Sequence, residues 1–336
     1  MPLFIVLALL TTANLHADNS QQRIYGFHLL NWSRDGYGQD TAKGEIVKIS
    51  QTGAGWVSLV PSWYMTKDTD IEIIAEARTP SDEALLAAAA NAKANGLRVA
   101  LKPHIDTQNG KFRGYIRPTD EREWFKNYWR LLRHYARLAK AMDADLLIVG
   151  TELYSMTRKR HTYLWKAMIA DLRQIYAGPM TYSGFLFEWE SIGFWEDLDF
   201  IGISAYFPMG GPGSSSDADR LASVWTRHHI PKLLAASKAH DRPVLFTELG
   251  ISSMKQAHVV PWVYKKYNRI DPDMQSNYYK AYFKAFANEG PWFKGFLSWG
   301  WTVDTNDGGP NDHTHTLEGK PVLKLLESEF KAASGR

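Results

Sequence analysis

Two stretches of this chain share one form. Leu147-Ile148-Val149-Gly150-Thr151-Glu152-Leu153 and Val244-Leu245-Phe246-Thr247-Glu248-Leu249-Gly250 each run from a short apolar segment into Thr-Glu-Leu. The apolar part is too short for a helix, is rich in large and β-branched residues, and is followed by a longer segment of helical period. Outward from these two stretches the same alternation continues in both directions. Apolar runs lie at 24–30, 56–60, 98–102, 145–149, 180–184, 200–204, 244–247 and 295–299. Helices are predicted near 39–51, 81–95, 121–141, 161–176, 191–198 (a short aromatic one), from the Gly/Pro/Ser loop at 210–216 to about 240, then 274–288 and 322–332. Thr79-Pro80-Ser81-Asp82-Glu83 opens the second of these with Pro and acidic residues, and Gly96 closes it.

Strands separated by helices must be parallel, with right-handed crossovers. Repeated eight times, the unit predicts an α/β fold, a single (β/α)8 barrel of the TIM type over residues 18–336. An open doubly wound sheet would carry a Gly-rich phosphate loop after an early strand. Gly36-Tyr37-Gly38 and Gly53-Ala54-Gly55 lack the three-glycine spacing, and Gly210-Gly211-Pro212-Gly213 opens no tight helix turn.

Composition narrows the function. The 336 residues include no Cys, which excludes disulfides and cysteine-based zinc or redox chemistry. Lys+Arg 39 against Asp+Glu 36 is nearly balanced, a small excess rather than a basic patch for nucleic acid. The 13 Trp, 16 Tyr and 15 Phe have two readings, a Trp-rich core or a surface that stacks on sugar rings. At the N-terminus, Pro2 to Leu10 is far short of the roughly 20 residues that span a bilayer. It reads as the apolar region of a signal peptide over residues 1–17, although no Lys or Arg precedes it. Secretion or periplasmic export is the expectation, with no membrane span, and the chain is expected to act as a monomer.

In such a barrel the working residues sit at the C-terminal ends of the strands. Glu152 and Glu248 occupy matched positions there. A carboxylate at the end of a buried strand is costly unless it is paired or used. Each alone reads as a salt-bridged rim residue. As a pair they suit glycoside hydrolysis, in which one carboxyl protonates the leaving oxygen and the other attacks or activates water. Tyr206, ending strand six, is placed to hold a neighbouring carboxylate by a hydrogen bond, or else packs in the core. His104 and Asp106 follow strand three at period two, suited to hydroxyls or a metal. Trp299 and Trp301 end strand eight and Asn31-Trp32 ends strand one, each indole a platform for a sugar ring or a packing residue. His228-His229 lie on a helical stretch and His313 and His315 in a polar loop, none with a carboxylate at ligand spacing. No metal or other cofactor is expected, and no Gly-x-Ser-x-Gly elbow is present.

These residues resemble glycoside hydrolases of clan A, and more narrowly glycoside hydrolase family 113, whose described members are β-1,4-mannanases. The resemblance runs from about Gly26 to Leu326. It rests on Thr79-Pro80-Ser81-Asp82, on Gly96 through His104, on Trp124-Phe125 and Tyr128, on Gly150-Thr151-Glu152-Leu153, and on Trp299-Gly300-Trp301 followed by Gly319-Lys320-Pro321. It implies Glu152 as acid/base, Glu248 as nucleophile, Tyr206 as the partner of the nucleophile, and His104 and Trp299 lining the sugar subsite. Clan A usually has Asn just before the acid/base, near the sugar 2-hydroxyl. Here that position is Thr151, as family 113 also lacks the Asn. The implied substrate is β-1,4-mannan or mannooligosaccharide. The alternatives are another β-linked glycan, a non-catalytic carbohydrate-binding barrel, or a metal-dependent hydrolase using His104, Asp106 and late His residues.

Overall fold

The computed structural model describes residues 23–263 and 269–335. The expected signal segment, residues 1–17, lies outside them. Among the described residues ten strands form: β1 (Ile24–Leu30), β2 (Trp56–Leu59), β3 (Ser62–Met65), β4 (Arg98–Leu101), β5 (His104–Thr107), β6 (Leu146–Thr151), β7 (Met180–Phe185), β8 (Ile201–Ser204), β9 (Val244–Leu249) and β10 (Phe293–Thr302). Eight close into a barrel in the order β1-β10-β9-β8-β7-β6-β4-β2, every pair parallel. The crossovers carry α1 (Asp40–Gln51), α2 (Asp82–Ala94), α3 (Glu121–Ala141), α4 (Thr162–Ile175), α5 (Ala218–Val224), α6 (Ile230–His240), α7 (Pro272–Phe286) and α8 (Pro321–Ser334). Among the described residues no helix is long and apolar enough to cross a membrane.

Local chemistry explains the boundaries. Ser81 accepts a hydrogen bond from the Ala84 amide and caps α2, and Asp120 does the same for Glu123 at the start of α3. Along α3, Trp124, Tyr128, Leu131 and Tyr135 recur at helical spacing and are buried against the barrel. Burying a side chain of this size contributes roughly 1.5–3 kcal/mol. The lumen is stratified. Ile24, Trp56, Ala100, Leu146, Ile148, Leu245 and Leu297 form an apolar plug. A separate set of lumen-side hydroxyls bonds across strands, Ser183 Oγ lying 2.8 Å from Ser204 Oγ and 2.6 Å from Thr247 Oγ1.

Three features differ from the sequence reading. The segment 191–198 is not an α-helix. It forms two 3-10 turns, Trp189–Ser191 and Trp195–Asp197, because Phe194 stacks on Trp165 (centroids 5.0 Å apart) and Trp195 Nε1 reaches back to Trp189 O. The helix after the 210–216 loop is two helices, α5 and α6, joined by a π-helical turn at Trp225–His229. Pro231 sits in the first turn of α6 and has no amide to continue an α-helical ladder back into that turn. Finally, β3 and β5 form a small parallel sheet of their own. Pro61 and Pro103 follow β2 and β4 at matched positions, and each lacks the amide that a barrel ladder needs. Beyond them the two chains pair again, Ser62 opposite His104 and Tyr64 opposite Asp106, raising one wall above the barrel mouth.

Candidate active site

Glu152 follows β6 and Glu248 lies within β9, so the barrel itself delivers both carboxyls to its C-terminal mouth. Glu152 has φ +56, the left-handed region that a residue with a Cβ rarely adopts. Such strain persists only where the surroundings fix it. Here the Glu152 amide donates to Ser183 O (2.8 Å) and the Leu153 amide to the Tyr182 hydroxyl (2.6 Å). Tyr182 in turn donates to Glu188 (2.7 Å), which also accepts from Thr157 and from the Phe185 amide. Tyr128 donates to Val149 O (2.7 Å) just upstream. A Cβ at Gly150 would meet that Tyr128 hydroxyl at 2.6 Å, so the position before Thr151 has room only for glycine.

Both carboxyls face a cavity of about 1280 Å³. They are nearly sealed from solvent, Glu152 at 5% and Glu248 at 4% exposure. Their partners differ. One oxygen of Glu248 is ion-paired with Lys102 Nζ and the other accepts from the Tyr206 hydroxyl at 2.8 Å. Oε2 of Glu152 accepts from Arg113 at 2.9 Å, and Arg113 also binds Asp106 and Ile105 O.

These surroundings split the two acids. Burial raises the pKa of Glu152, the Glu248 charge adds to it, and Arg113 and Lys102 only partly offset the two, leaving it at about 7. Burial acts on Glu248 in the same direction. There the Lys102 charge, together with the hydrogen bonds from Lys102 and Tyr206, outweighs it and holds the carboxyl below its ordinary value. Below about pH 7 Glu152 therefore keeps its proton, while Glu248 keeps its negative charge down to lower pH. Two carboxyls with pKa values pushed apart by environment can divide acid and nucleophile work between them.

Of the residues singled out from sequence, Asn31, Trp32, His104, Tyr206 and Trp299 line this cavity. Trp32 is 51% exposed at its rim. Asn31 satisfies both ends of its amide on Ser33. His104 stacks flat on Trp299 (centroids 5.6 Å apart, planes 7° apart), and its Nε2 lies 3.9 Å from Glu248. Burial, then the Lys102 and Arg113 charges, pull His104 well below its ordinary pKa, so it is neutral. Asp106 lines the cavity too, held by Arg113.

Two expectations are corrected. Trp301 is not a sugar platform. It is buried against Phe27 in the helix-side core and donates to Glu45 at 2.9 Å. Strict alternation would put residues 299 and 301 on one face. A bulge intervenes: Phe27 pairs with Ser298 but Leu29 pairs with Trp301, an extra residue on β10 that reverses the parity. Gly300 takes φ +119 there, where a Cβ would meet His315 O at 2.2 Å. Thr151 does not line the cavity either. It is buried in β6, and the left-handed turn after it brings the Glu152 carboxyl, not the preceding side chain, to the mouth.

Lys102 and Arg113 were not recognised in the sequence as site residues. A lysine directly after the apolar run 98–101 was the available signal for the first, since a cation at a buried strand end needs an anion. Arg113 lies in a loop whose course no periodicity reveals.

The family model of Glycoside Hydrolase Family 113 matches residues 24–320. Among curated proteins, none matches the chain significantly. Among solved structures, the chain is similar to a family 113 β-mannanase from Alicyclobacillus acidocaldarius in complex with ManMIm. The identity is 27% and the TM-score 0.83, over 93% of this chain and 98% of the other. It is similar to another family 113 β-1,4-mannanase at 25% identity and TM-score 0.82, over 93% and 99% of the two chains. A β-glucuronidase from Faecalibacterium prausnitzii, 14% identical with a TM-score of 0.59, shares the fold over 93% of this chain and 50% of its own.

Proposed function

The chain belongs to Glycoside Hydrolase Family 113 and is a glycoside hydrolase, and from that premise we propose that it is a retaining β-mannanase acting on β-1,4-mannan or mannooligosaccharides. Glu248 is the nucleophile and Glu152 the acid/base. The observation that carries this reading is the division of the pair: Glu248 held ionised by Lys102 and Tyr206, Glu152 held protonated by burial.

In the first step Glu248 attacks the anomeric carbon as the bond to the leaving oxygen breaks. Glu152 gives that oxygen its proton, and a covalent glycosyl-enzyme forms. Glu152, now a base, takes a proton from water as the water displaces Glu248. The Lys102 ion pair stabilises the carboxylate before attack and again as it leaves. Trp299, backed by His104, offers an indole face to the reacting ring. The mannose preference draws on the similarity to the two β-mannanases. Stacking selects a pyranose, whereas discrimination at the 2-hydroxyl needs hydrogen bonds that one epimer leaves unmade.

Two assays test this. Glu152→Ala should still form a glycosyl-enzyme from a dinitrophenyl β-mannoside, whose leaving group needs no proton, and Glu248→Ala should form none. The reverse result shows the roles exchanged. Reducing-sugar release is then compared on mannan, glucomannan, carboxymethylcellulose and xylan at equal mass. Faster release from carboxymethylcellulose or xylan overturns the substrate while leaving the glutamates in place.

A further inference from the structure

Glu188 is a buried carboxyl that the double-displacement chemistry does not use. It is 1% exposed, and three neutral donors converge on it: the Tyr182 and Thr157 hydroxyls on Oε1, each at 2.7 Å, and the Phe185 amide on Oε2 at 2.9 Å. A carboxyl buried this deeply is costly unless it is bonded. Here the bonds join two elements. Tyr182 and Phe185 belong to β7, and Thr157 to the loop that follows β6 and carries Glu152.

The bonds close a ring around the residue after Glu152. The Leu153 amide donates to the Tyr182 hydroxyl oxygen at 2.6 Å, and that hydroxyl donates to Glu188. The Leu153 carbonyl accepts from the Thr157 amide at 3.0 Å, and the Thr157 hydroxyl returns to the same oxygen of Glu188. With its proton committed to Glu188, Tyr182 turns a lone pair toward the Leu153 amide. That amide lies in the peptide plane joining Glu152 to Leu153, so fixing it fixes the ψ of Glu152. The Glu152 amide, donated to Ser183 O at 2.8 Å, fixes the other side of the same Cα. A second left-handed residue, Leu186 at φ +37, sits in the turn that the Glu188 carboxyl closes onto the Phe185 amide.

A proton donor must stand within hydrogen-bond reach of the leaving oxygen. A displacement of about 1 Å, caused by a change remote from the chemistry, can cost about a hundredfold in rate. Arg113 holds the tip of the Glu152 side chain. Its root is aimed by the left-handed turn, and the ring holds that turn. A group that accepts on both oxygens serves all three donors, and an amide does not. In Glu188→Gln the amide nitrogen meets either the Phe185 N–H or the Tyr182 hydroxyl, which then receives two donors and has no acceptor for its own proton.

We propose that Glu188 is a positioning residue for the acid/base: through Tyr182 and Thr157 it holds the backbone turn that aims the Glu152 carboxyl at the leaving oxygen. This rests on the reading of Glu152 as the acid. The test compares kcat/KM for phenyl and dinitrophenyl β-glycosides of the sugar the enzyme cleaves, in wild type, Glu188→Gln, Tyr182→Phe and Glu152→Ala. Dinitrophenolate leaves unaided, whereas phenolate needs the proton. The phenyl-to-dinitrophenyl ratio should fall about tenfold in Glu188→Gln and Tyr182→Phe, within the roughly 10²–10⁴ that a general acid supplies and that Glu152→Ala should remove. On the dinitrophenyl substrate kcat and KM should fall together in both, because a displaced base slows hydrolysis of the glycosyl-enzyme. Tyr182→Phe keeps the ring on Trp165 and Phe194, so it decides the matter even if Glu188→Gln does not fold. Tyr176→Phe is the stability control. It removes a bond of the same kind, to Ala144 O at 2.7 Å, at the opposite end of β6. It should lower the thermal midpoint and leave the ratio unchanged. A wild-type ratio in Tyr182→Phe, or an equal fall in Tyr176→Phe, overturns the proposal. If Glu152→Ala instead forms no glycosyl-enzyme, the acid reading fails. Positioning is then decided by the dinitrophenyl rate, which Tyr182→Phe must lower about tenfold.

Discussion

Tyr206→Phe removes one hydroxyl from the site and nothing else. The ring and its edge contact with His315 remain (centroids 5.9 Å apart), so the fold is unaffected. What disappears is the 2.8 Å hydrogen bond to Glu248 Oε2, donated to a carboxylate inside a nearly closed cavity. A hydrogen bond to a charged group contributes roughly 1.5–3 kcal/mol. At about 1.36 kcal/mol per pKa unit, its loss raises the Glu248 pKa by about 1–2 units. Lys102 still holds the other oxygen, so the carboxyl does not go fully neutral. The sign in the rate follows. Glu248 must be ionised to attack, and its pKa sets the acidic limb of kcat/KM in the free enzyme. That limb lies below the ordinary 4.5 in the wild type and should move up by about 1–2 units in the variant. The basic limb, set by deprotonation of Glu152 at about 7, should stay. The assay is kcat/KM against pH on an aryl β-mannoside at fixed ionic strength. An acidic limb that does not move refutes the argument, and a basic limb that moves instead exchanges the roles of the two glutamates.

Other outcomes follow from the same geometry. Glu152 has a folded pKa of about 7 against an ordinary 4.5, so the wild type loses stability as pH rises through that window, by at most about 3 kcal/mol. Glu152→Gln has no such loss, and its thermal midpoint should gain on the wild type between about pH 5 and about pH 8; a constant gap contradicts this. Arg113→Met removes a cation that lowers the Glu152 pKa, so the basic limb should shift to higher pH, and a downward shift would show that Arg113 acts otherwise. Trp301→Phe removes the donor to buried Glu45 and should cost about 1–3 kcal/mol in denaturant unfolding while leaving KM for oligosaccharides unchanged. A raised KM would return Trp301 to the cleft.

The eight-unit barrel was legible because each β-α unit writes its own signal: a short apolar run, a helical period, a cap. The two glutamates were legible because matched carboxylates at buried strand ends have few uses. What escaped depends on relations between distant segments. The Gly300 bulge reverses the face of Trp301 only because β1 and β10 pair out of step, which no pattern within β10 records. The β3–β5 sheet follows from two prolines at matched barrel register, and that register is unknown until the strands are paired. Arg113 reaches Glu152 across 39 positions of sequence from within a loop. The aromatic excess had two readings of equal standing, and the structure divides it: Trp124, Trp165, Trp195, Trp225 and Trp301 are core, while Trp32 and Trp262 are exposed beside cavities.

The small sheet beyond Pro61 and Pro103 separates two tasks that most enzymes must satisfy with the same residues. The barrel closes through β2 and β4, and its ladder is complete before either proline. Ser62, Tyr64, His104 and Asp106 stand on the cleft wall outside that closure. Residues farther along the wall, such as Gln108 and Lys111, can change in a lineage without altering the shear or tilt on which the closed barrel depends. The prolines thus mark a seam in the evolutionary sense. Lys102 below it and His104 and Asp106 just above it are tied to the two glutamates and Trp299, and only the outer wall beyond them is free of both the barrel and the acids.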